Sequence, residues 1–384
     1  MKIVMLGGAG NQGLFSVKEL LRGNVFDEIV LASRNVKKNE EVAKSLNSDR
    51  ISVAEVDVFN EDQLLNLIKD ADVVANCTGP YYLLGEPVID AAIKAGKNYV
   101  DFCDDVVVHE KIFTEERQKK AKEKGISIIL GIGASPGLLP IMATYGATHM
   151  DEVEDVNLYM AIHAEDSTDG PAVALHTIEN FAGEVAVLRD GEIIYEHPLL
   201  GEEMAIFPEP IGEKKVATMG HPEVFSLPRV MNVKNVNIKL GTYPTEAFDV
   251  MNLLLAVGLG STEPLDVKGQ SVVPRDFMMA LTGKGEEKEK TVDTPLSSMY
   301  AEVIGSTNED EKIIYRLDVV SQMGPMTGIP LAACSELLAE GKINKKGIMV
   351  PEECLNSEEF IIDNLNRIKD AGYPIKVYEK LERS

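Results

Sequence analysis

Gly8-Ala9-Gly10-Asn11-Gln12-Gly13, preceded by the apolar run Lys2–Leu6, decides the fold. Ile3, Val4, Met5 and Leu6 read as a buried strand. After the glycines, Leu14, Val17, Leu20 and Leu21 recur at helical spacing until Gly23 closes the helix. Strand, glycine turn and helix in that order place a pyrophosphate at a helix N-terminus, where unpaired N–H groups and the positive end of the dipole face the anion. The expected contacts in this loop are Gly8, Gly10, Asn11, Gln12 and Gly13.

The next predicted strand, Ile29-Val30-Leu31-Ala32, ends in Ser33-Arg34-Asn35, and no carboxylate occurs between Glu28 and Glu40. A chain that prefers NAD usually carries Asp or Glu near this point to accept from the ribose 2′-OH, whereas arginine accommodates a 2′-phosphate. Arg34, with Ser33 donating beside it, therefore predicts NADP as the cofactor, with NAD possible.

Through residue 134 strands and helices alternate, which predicts a Rossmann-type, doubly wound parallel sheet with its strand-end loops lining one crevice. A helix is expected near Asn60, with Gln63 completing a capping box. The next has Pro87 near its first position and Gly96 past its end, and Val108–Lys124 reads as one amphipathic helix. The strand-end loops add Asp57, Val58, Cys77, Thr78, Gly79, Pro80, Cys103 and Ser135 to the candidate cofactor contacts.

After Gly137 the pattern changes. Val156, Leu158, Met160 and Ile162 alternate with Asn157, Tyr159 and Ala161, which predicts a strand covered on one face. Asp190-Gly191 between two apolar runs reads as a hairpin turn. An α+β second domain with a mainly antiparallel sheet is expected over 135–324. The nucleotide domain spans 1–134, and a C-terminal segment, 325–384, is expected to return to it.

Length and composition narrow the classes. At 384 residues the chain suggests more than one domain, and 45% apolar residues is ordinary for a globular protein. A formal charge of −24 argues against a nucleic-acid or anionic-membrane binder. Cys77, Cys103, Cys334 and Cys354 show no zinc or C-x-x-C spacing, and read as reduced thiols of a cytoplasmic protein. The six histidines show no paired ligand spacing, so no metal is expected. The apolar start belongs to the first strand, not to a signal peptide. Met251–Gly260 is too short to cross a bilayer, and Lys284–Lys290 reads as a solvated loop.

Several stretches resemble the saccharopine dehydrogenase (saccharopine reductase) family and its lysine 6-dehydrogenase-like branch. They are Gly79-Pro80-Tyr81 with Gly85-x-Pro87-Val88; Tyr99-Val100-Asp101 with Cys103-Asp104-Asp105; Ser135-Pro136-Gly137-Leu138; Gly220-His221-x-Glu223 with Leu227-Pro228-Arg229; and Thr327-Gly328-Ile329-Pro330 through Pro351-Glu352. The resemblance implies an NAD(P)-dependent oxidoreductase acting at a carbon–nitrogen bond of an amino-acid-derived amine, and a homodimer built through the second domain. Ser135 stands where the family commonly has aspartate, and Ala161 where it commonly has cysteine. Both departures point away from saccharopine towards another amine substrate.

Amine oxidation needs a hydride acceptor, a base and groups that hold a cationic substrate. Tyr81, Asp101, Asp104 and His163 are the candidate catalytic residues, and Glu165, Asp166, His221 and Arg229 the candidate substrate contacts, with Arg229 suited to a carboxylate. The functions to separate are an NADP-dependent amine or imine oxidoreductase, a carboxynorspermidine-type reductive condensation and a non-catalytic NADP-binding regulator.

Overall fold

The computed structural model describes residues 1–166, 178, 180–181, 183–282 and 292–384. They form two compact units, Met1–Tyr145 with Gly324–Ile375, and Gly146–Met323 with Lys376–Ser384.

The first unit is a seven-stranded sheet in the order β17-β6-β5-β4-β1-β2-β3. Its strands are β1 (Lys2–Leu6), β2 (Glu28–Ser33), β3 (Ile51–Glu55), β4 (Val73–Asn76), β5 (Asn98–Asp101), β6 (Ser127–Ile129) and β17 (Gly347–Met349). Every neighbouring pair is parallel. A parallel sheet is covered on both faces, which is why β1, β2 and β4 read as unbroken apolar runs. The order reverses between β1 and β4, so the crevice opens after those two strands. Strand β17 was not anticipated, because three residues after a glycine are too few for a periodic signal.

Helices α1 (Asn11–Arg22), α2 (Val36–Leu46), α3 (Glu61–Ile68) and α4 (Tyr81–Ala95) follow β1 to β4 in turn. In α3, Asn60 Oδ1 accepts from Gln63 N at 3.1 Å, but Gln63 reaches back to Asp57 N at 3.0 Å rather than to the cap residue. Helix α4 starts at Tyr81, so Pro87 lies inside it, not near its first position. The expected helix Val108–Lys124 is instead α5 (Val106–Ile112) and α6 (Glu115–Glu123). The break falls where Thr114 caps α6 by accepting from Arg117 N. Helix α7 (Leu138–Ala147) is apolar on nearly every side and buried accordingly.

Two C-terminal helices complete this unit, α10 (Met323–Ala339) and α11 (Ser357–Asp370). Helix α10 presses on α1: a Cβ on Gly328 would stand 2.4 Å from Phe15 Cβ and 2.8 Å from Ser16 N. Ser16 Oγ donates to Gly328 O at 2.7 Å across that contact. Arg367 of α11 then pairs with Glu19 of α1 at 3.2 Å and Glu336 of α10 at 2.8 Å.

The second unit is a nine-stranded mixed sheet whose main path is β10-β11-β12-β7-β15-β16-β18, with β8 and β9 branching from β12. The strands are β7 (Glu152–His163), β8 (Val185–Arg189), β9 (Glu192–Glu196), β10 (Glu203–Phe207), β11 (Gly212–Thr218), β12 (Asn235–Tyr243), β15 (Ser297–Ser306), β16 (Lys312–Ser321) and β18 (Lys376–Arg383). Among the described strands of this sheet, only β7 and β12 run parallel. Helices α8 (Thr245–Ala256) and α9 (Pro274–Thr282) flank a small hairpin of β13 (Leu265–Val267) and β14 (Gln270–Val272). Asp190 and Gly191 both adopt positive φ between β8 and β9, as a two-residue hairpin turn requires.

Two expectations change here. Strand β7 is buried on both faces, since Tyr159 and Ala161 pack with Ala205, Phe207 and Tyr300 under the β10–β11 hairpin. The end of the segment expected on the nucleotide unit instead becomes β18, because its extended stretch pairs with β16 from Lys376 to Arg383. The Lys284–Lys290 stretch lies outside the described residues. No helix among the described residues is long and apolar enough to cross a membrane.

Candidate functional site: a cationic nucleotide pocket

The tight turn after β1 is made by Gly7, one residue before the motif read from the sequence. Its φ is +71°, and a Cβ there would stand 2.9 Å from Cys77 O and from Thr78 Cγ2. Gly7 N donates to Ala32 O at 2.9 Å and Gly10 N to Gly7 O at 2.8 Å, which fixes the loop. Gly8 and Gly13 are glycine for packing: added Cβ atoms would lie 2.8 Å from Met5 Cβ and 2.9 Å from Gly8 Cα respectively. Gly10 differs. Beyond its chain neighbours, only Gly7 O, at 3.0 Å, comes within 4 Å of its Cβ position among the described residues, and Gly10 lines a cavity of about 550 Å³. Space, rather than fold, asks for glycine at that position.

The cavity is walled by the loops after β1, β2, β3 and β4. Gly7, Ala9 and Gly10 form one side, Val56 and Val58 another, and Cys77, Thr78 and Gly79 a third, with Leu84 from α4. Ser33, Arg34, Asn35, Lys38 and Asn39 form the fourth. Of the expected cofactor contacts, Gly8, Asn11, Gln12, Gly13, Asp57, Pro80, Cys103 and Ser135 are not among the lining residues. Among the described residues, the only charged ones in the wall are Arg34 and Lys38, and no carboxylate lines it. Both cations are exposed, and neither pairs with a carboxylate among the described residues.

Their positions follow from a small polar lock. Ser33 Oγ lies 3.1 Å from Asn39 Oδ1, and buried Asn39 Nδ2 donates to Leu31 O at 3.3 Å. Asn35 N donates to Ser33 Oγ at 3.2 Å, and Asn35 Oδ1 caps α2 by accepting from Lys38 N at 3.1 Å. Ser33 thus organises the loop with the hydroxyl that was expected to meet the cofactor. Lys38 was missed in the sequence. The available signal was a second cation one helical turn after Arg34, just inside a helix cap.

Behind the cavity lies a buried network that ties β4 to β5. Tyr99 OH donates to Asp101 Oδ2 at 2.8 Å, while Asp101 Oδ1 accepts from Cys103 N at 2.9 Å and Gly131 N at 2.7 Å. Tyr81 OH donates to Asn76 O at 2.8 Å and accepts from Phe102 N at 3.2 Å. Asn76 Oδ1 in turn accepts from Thr78 N at 3.0 Å, which positions the Thr78 wall. Burial pushes Asp101 up to about 7 despite the hydrogen bonds that oppose the shift. The same burial raises the Tyr81 and Tyr99 phenols and the Cys77 and Cys103 thiols, so neither thiol is an activated nucleophile. Asp105 accepts from Tyr82 N at 2.9 Å, and Asp104 is half-buried between these two carboxylates in sequence.

In the second unit, three predicted residues meet at the end of β7. His163 Nδ1 accepts from Glu165 N at 3.1 Å, and its ring stands edge-on to Tyr243 at 5.0 Å. Buried Asp166 accepts from Ser297 Oγ at 2.5 Å and Met323 N at 2.8 Å, and Glu165 accepts from Val292 N at 3.1 Å. His221 is paired with Glu223 in a fully buried contact, while Arg229 is exposed in a short turn after it. Among the described residues, no group of three or more His, Cys, Asp or Glu is placed to hold a metal.

A glycine cradle at a helix start, a cavity at the strand-order reversal and a cationic rim define a protein that binds a phosphorylated dinucleotide. The saccharopine dehydrogenase NADP binding domain matches residues 3–129, and the saccharopine dehydrogenase C-terminal domain matches residues 175–372. The chain belongs to the saccharopine dehydrogenase family and is an NADP-binding oxidoreductase of that kind, as the sequence resemblance implied. It is 25% identical to carboxyaminopropylagmatine dehydrogenase of Synechocystis sp. over 97% of both chains. It is 24% identical to carboxynorspermidine synthase of Vibrio alginolyticus over 94% of both. Its fold is that of apo saccharopine dehydrogenase (L-Glu forming) from Saccharomyces cerevisiae, with a TM-score of 0.72, 15% identity and 99% of each chain covered.

Proposed function

We propose that this oxidoreductase reduces a carbon–nitrogen double bond joining a carboxylate-bearing carbonyl fragment to a polyamine-type amine, leaving a carboxylated secondary amine. The observation that carries this reading is the near full-length match to two relatives, both named for carboxylated amines. Ser135 and Ala161, the departures from the saccharopine pattern, agree with it.

In this reading Arg34 and Lys38 hold the 2′-phosphate of NADP. Gly10 and the opening turn of α1 receive the pyrophosphate, and Thr78 and Gly79 bound the cavity beyond it. When bound, NADPH supplies the hydride. The nitrogen also needs a proton, and we assign its delivery to Asp104. Asp104 is a half-buried carboxyl in the loop that follows β5, one of the strand-end loops of the parallel sheet. We further read the protein as cytoplasmic, in keeping with four free cysteines, and as a homodimer, as the family resemblance implies.

Purified protein with NADPH, an amino-acid-derived aldehyde and a panel of diamines and agmatine tests the reading. Consumption of NADPH that needs both aldehyde and amine, with a condensed secondary amine found by mass spectrometry, is expected. Turnover with saccharopine or lysine and NADP, and none with aldehyde–amine pairs, would replace it with the lysine-type reaction. Binding of NADPH without turnover on the whole panel would favour a regulator.

A further inference from the structure

Asn76 and Asp101 end β4 and β5 and are partners in the register of the two strands, both fully buried. Tyr99, two residues before Asp101, shares its face of the sheet and carries the hydroxyl that joins them. The polarity of the resulting chain is fixed at both ends. Thr78 N can only donate, so the side-chain atom 3.0 Å from it is Asn76 Oδ1, in an Asx turn that opens the loop after β4. Thr78 Oγ1 also donates to Asn76 Oδ1, at 2.5 Å. The other end of the amide, Nδ2, donates to Tyr99 OH at 3.2 Å, and Tyr99 passes its own hydrogen to Asp101 Oδ2 at 2.8 Å. Asp101 Oδ1 is taken by the N–H groups of Cys103 and Gly131, which leaves Oδ2 as the place for a proton.

We propose that Asn76 is a positioning residue of the nucleotide site: it holds the Thr78 hydroxyl as an acceptor towards the nucleotide while Asp101 is ionised, and loses that hold when Asp101 is protonated. The inference rests on the reading that NADP fills this cavity, whose wall includes Thr78. A hydroxyl has one hydrogen. Spent on Asn76, it leaves Thr78 only lone pairs to offer a ribose hydroxyl or amide N–H of the ligand. A proton on Asp101 Oδ2 donates to the Tyr99 oxygen and turns the Tyr99 hydrogen towards Asn76. Either that hydrogen meets Nδ2, donor against donor, or the amide flips and sets Nδ2 against Thr78 N. Each arrangement leaves a buried donor unpaired, and the flip frees the Thr78 hydrogen to meet the ligand's own donor. A nucleotide that donates to Thr78 therefore binds the ionised form more tightly. Burial sets that ionisation at about 7. Among the described residues, the titratable groups around Asp101 are Tyr99 on its own strand, Tyr81 of α4, Cys77 after β4, and Cys103 and Asp104 in its own loop. His109 of α5 lies one step further, 3.1 Å from Cys103 O. Burial keeps both phenols and both thiols uncharged, so Asp104, which raises Asp101, is the charged neighbour.

Isothermal titration of NADP into the full chain at about pH 6 and about pH 8, either side of that ionisation, tests this. Wild type should bind about tenfold more tightly at the higher pH, beyond the share of the 2′-phosphate, which titrates at about 6 in every sample. Thr78→Val measures that share. It should bind about tenfold more weakly than wild type at the higher pH and keep only the dependence due to the phosphate, while Thr78→Ser behaves as wild type. Asp101→Asn places an N–H where the protonated carboxyl would donate, so at the higher pH it too should lose about tenfold. Tyr99→Phe cuts the chain but leaves Thr78 N to hold the amide, so it should bind tightly at both pH values. A merely structural Asp101 or Tyr99 would lower the melting temperature and leave the pH profiles parallel. Wild-type affinity in Asp101→Asn at the higher pH, or an unchanged pH dependence in Tyr99→Phe, would overturn the relay. If Asp101→Asn fails to fold, Tyr99→Phe and the two Thr78 variants decide. Arg34→Ala in the same titrations keeps the two readings apart. A loss there with none in Thr78→Val overturns this inference and leaves NADP in the cavity, and a loss in neither overturns both.

Discussion

Two loops face each other across the nucleotide cavity, and opposite means hold them in shape. The glycine loop after β1 is set by contact. Gly7, Gly8 and Gly13 leave no room for a side chain, and α10 presses Gly328 against the first turns of the helix that follows. The loop after β2 is set by a few polar bonds among Ser33, Asn35 and Asn39, and it carries two exposed cations. In the proposed reading the first loop supplies what every dinucleotide shares, a place for pyrophosphate, and the second what distinguishes one dinucleotide from another. Packing would then fix the common part and charge would select, so damage to the two loops should differ in kind.

Gly10 is where the contrast breaks most sharply, because it belongs to the packed loop but is kept open for the ligand. Gly10→Val should lower affinity for NADP and NAD alike by about a thousandfold, or ~4 kcal/mol, with an unchanged melting temperature. Isothermal titration and thermal unfolding of the same preparation check both halves. Unchanged nucleotide affinity would remove the glycine loop from the site. Gly328→Val should do the reverse. Its added atoms meet Phe15, Ser16 and Gln12 O, all within 3.0 Å of the Cβ position. Overpacking of this kind costs about 3 kcal/mol, and should appear as a melting point lower by roughly 10 °C, with nucleotide affinity following only as far as the fold loosens.

Asp101 sharpens the comparison from behind the cavity, where geometry again depends on burial. Asp101→Leu strips Cys103 N and Gly131 N of their acceptor, at about 1–3 kcal/mol for an unsatisfied buried group. Asp101→Asn keeps an oxygen for both N–H groups and should be the milder change. Burial raises this carboxyl from 3.8 to about 7, so across that interval the folded protein holds a proton that the unfolded chain has released. Stability therefore falls as pH rises through the interval, and Asp101→Asn should flatten that part of the melting-temperature profile. An identical pH profile in the Asn variant would show that Asp101 does not titrate there.

Much of the first unit was readable in the sequence because a parallel sheet makes its strands continuously apolar, and Ile3–Leu6 and Ile29–Ala32 cannot easily be anything else. The glycine turn before α1 and the place of Arg34 in the cavity wall were legible for a different reason: both depend on local spacing. Readings failed where a distant element decided the outcome. Tyr159 and Ala161 read as the open face of β7, because nothing local announces the hairpin that covers them. Gly7 was passed over because the motif begins one residue later, although the positive φ falls on Gly7. Ser33 does line the cavity, but the part its hydroxyl plays in the Asn39 lock could not be read locally. Lys38 reaches the cavity only because Asn35 starts α2 at a particular residue, a fact about capping rather than about charge.

The smallest expected effect tests the selective loop itself. Among the described residues Arg34 and Lys38 are the only charges in the cavity wall, and both meet the 2′-phosphate in the proposed reading. A hydrogen bond to a charged group is worth about 1.5–3 kcal/mol, so Arg34→Ala should weaken NADP by roughly tenfold to a hundredfold. Lys38 is a compact, well-hydrated charge on a flexible stem and lacks the paired donors of a guanidinium, so Lys38→Ala should cost less, about three- to tenfold. NAD, which lacks that phosphate, should bind both variants as it binds wild type. The two cations serve one anion, so the double variant should lose less than the product of the single losses. Raising the salt concentration should narrow the preference for NADP in wild type and leave the double variant almost unaffected. Titration of both nucleotides into the four proteins decides the assignment. Equal losses for NAD and NADP would make the pair a general electrostatic rim, and no loss from Lys38→Ala would leave Arg34 to select alone.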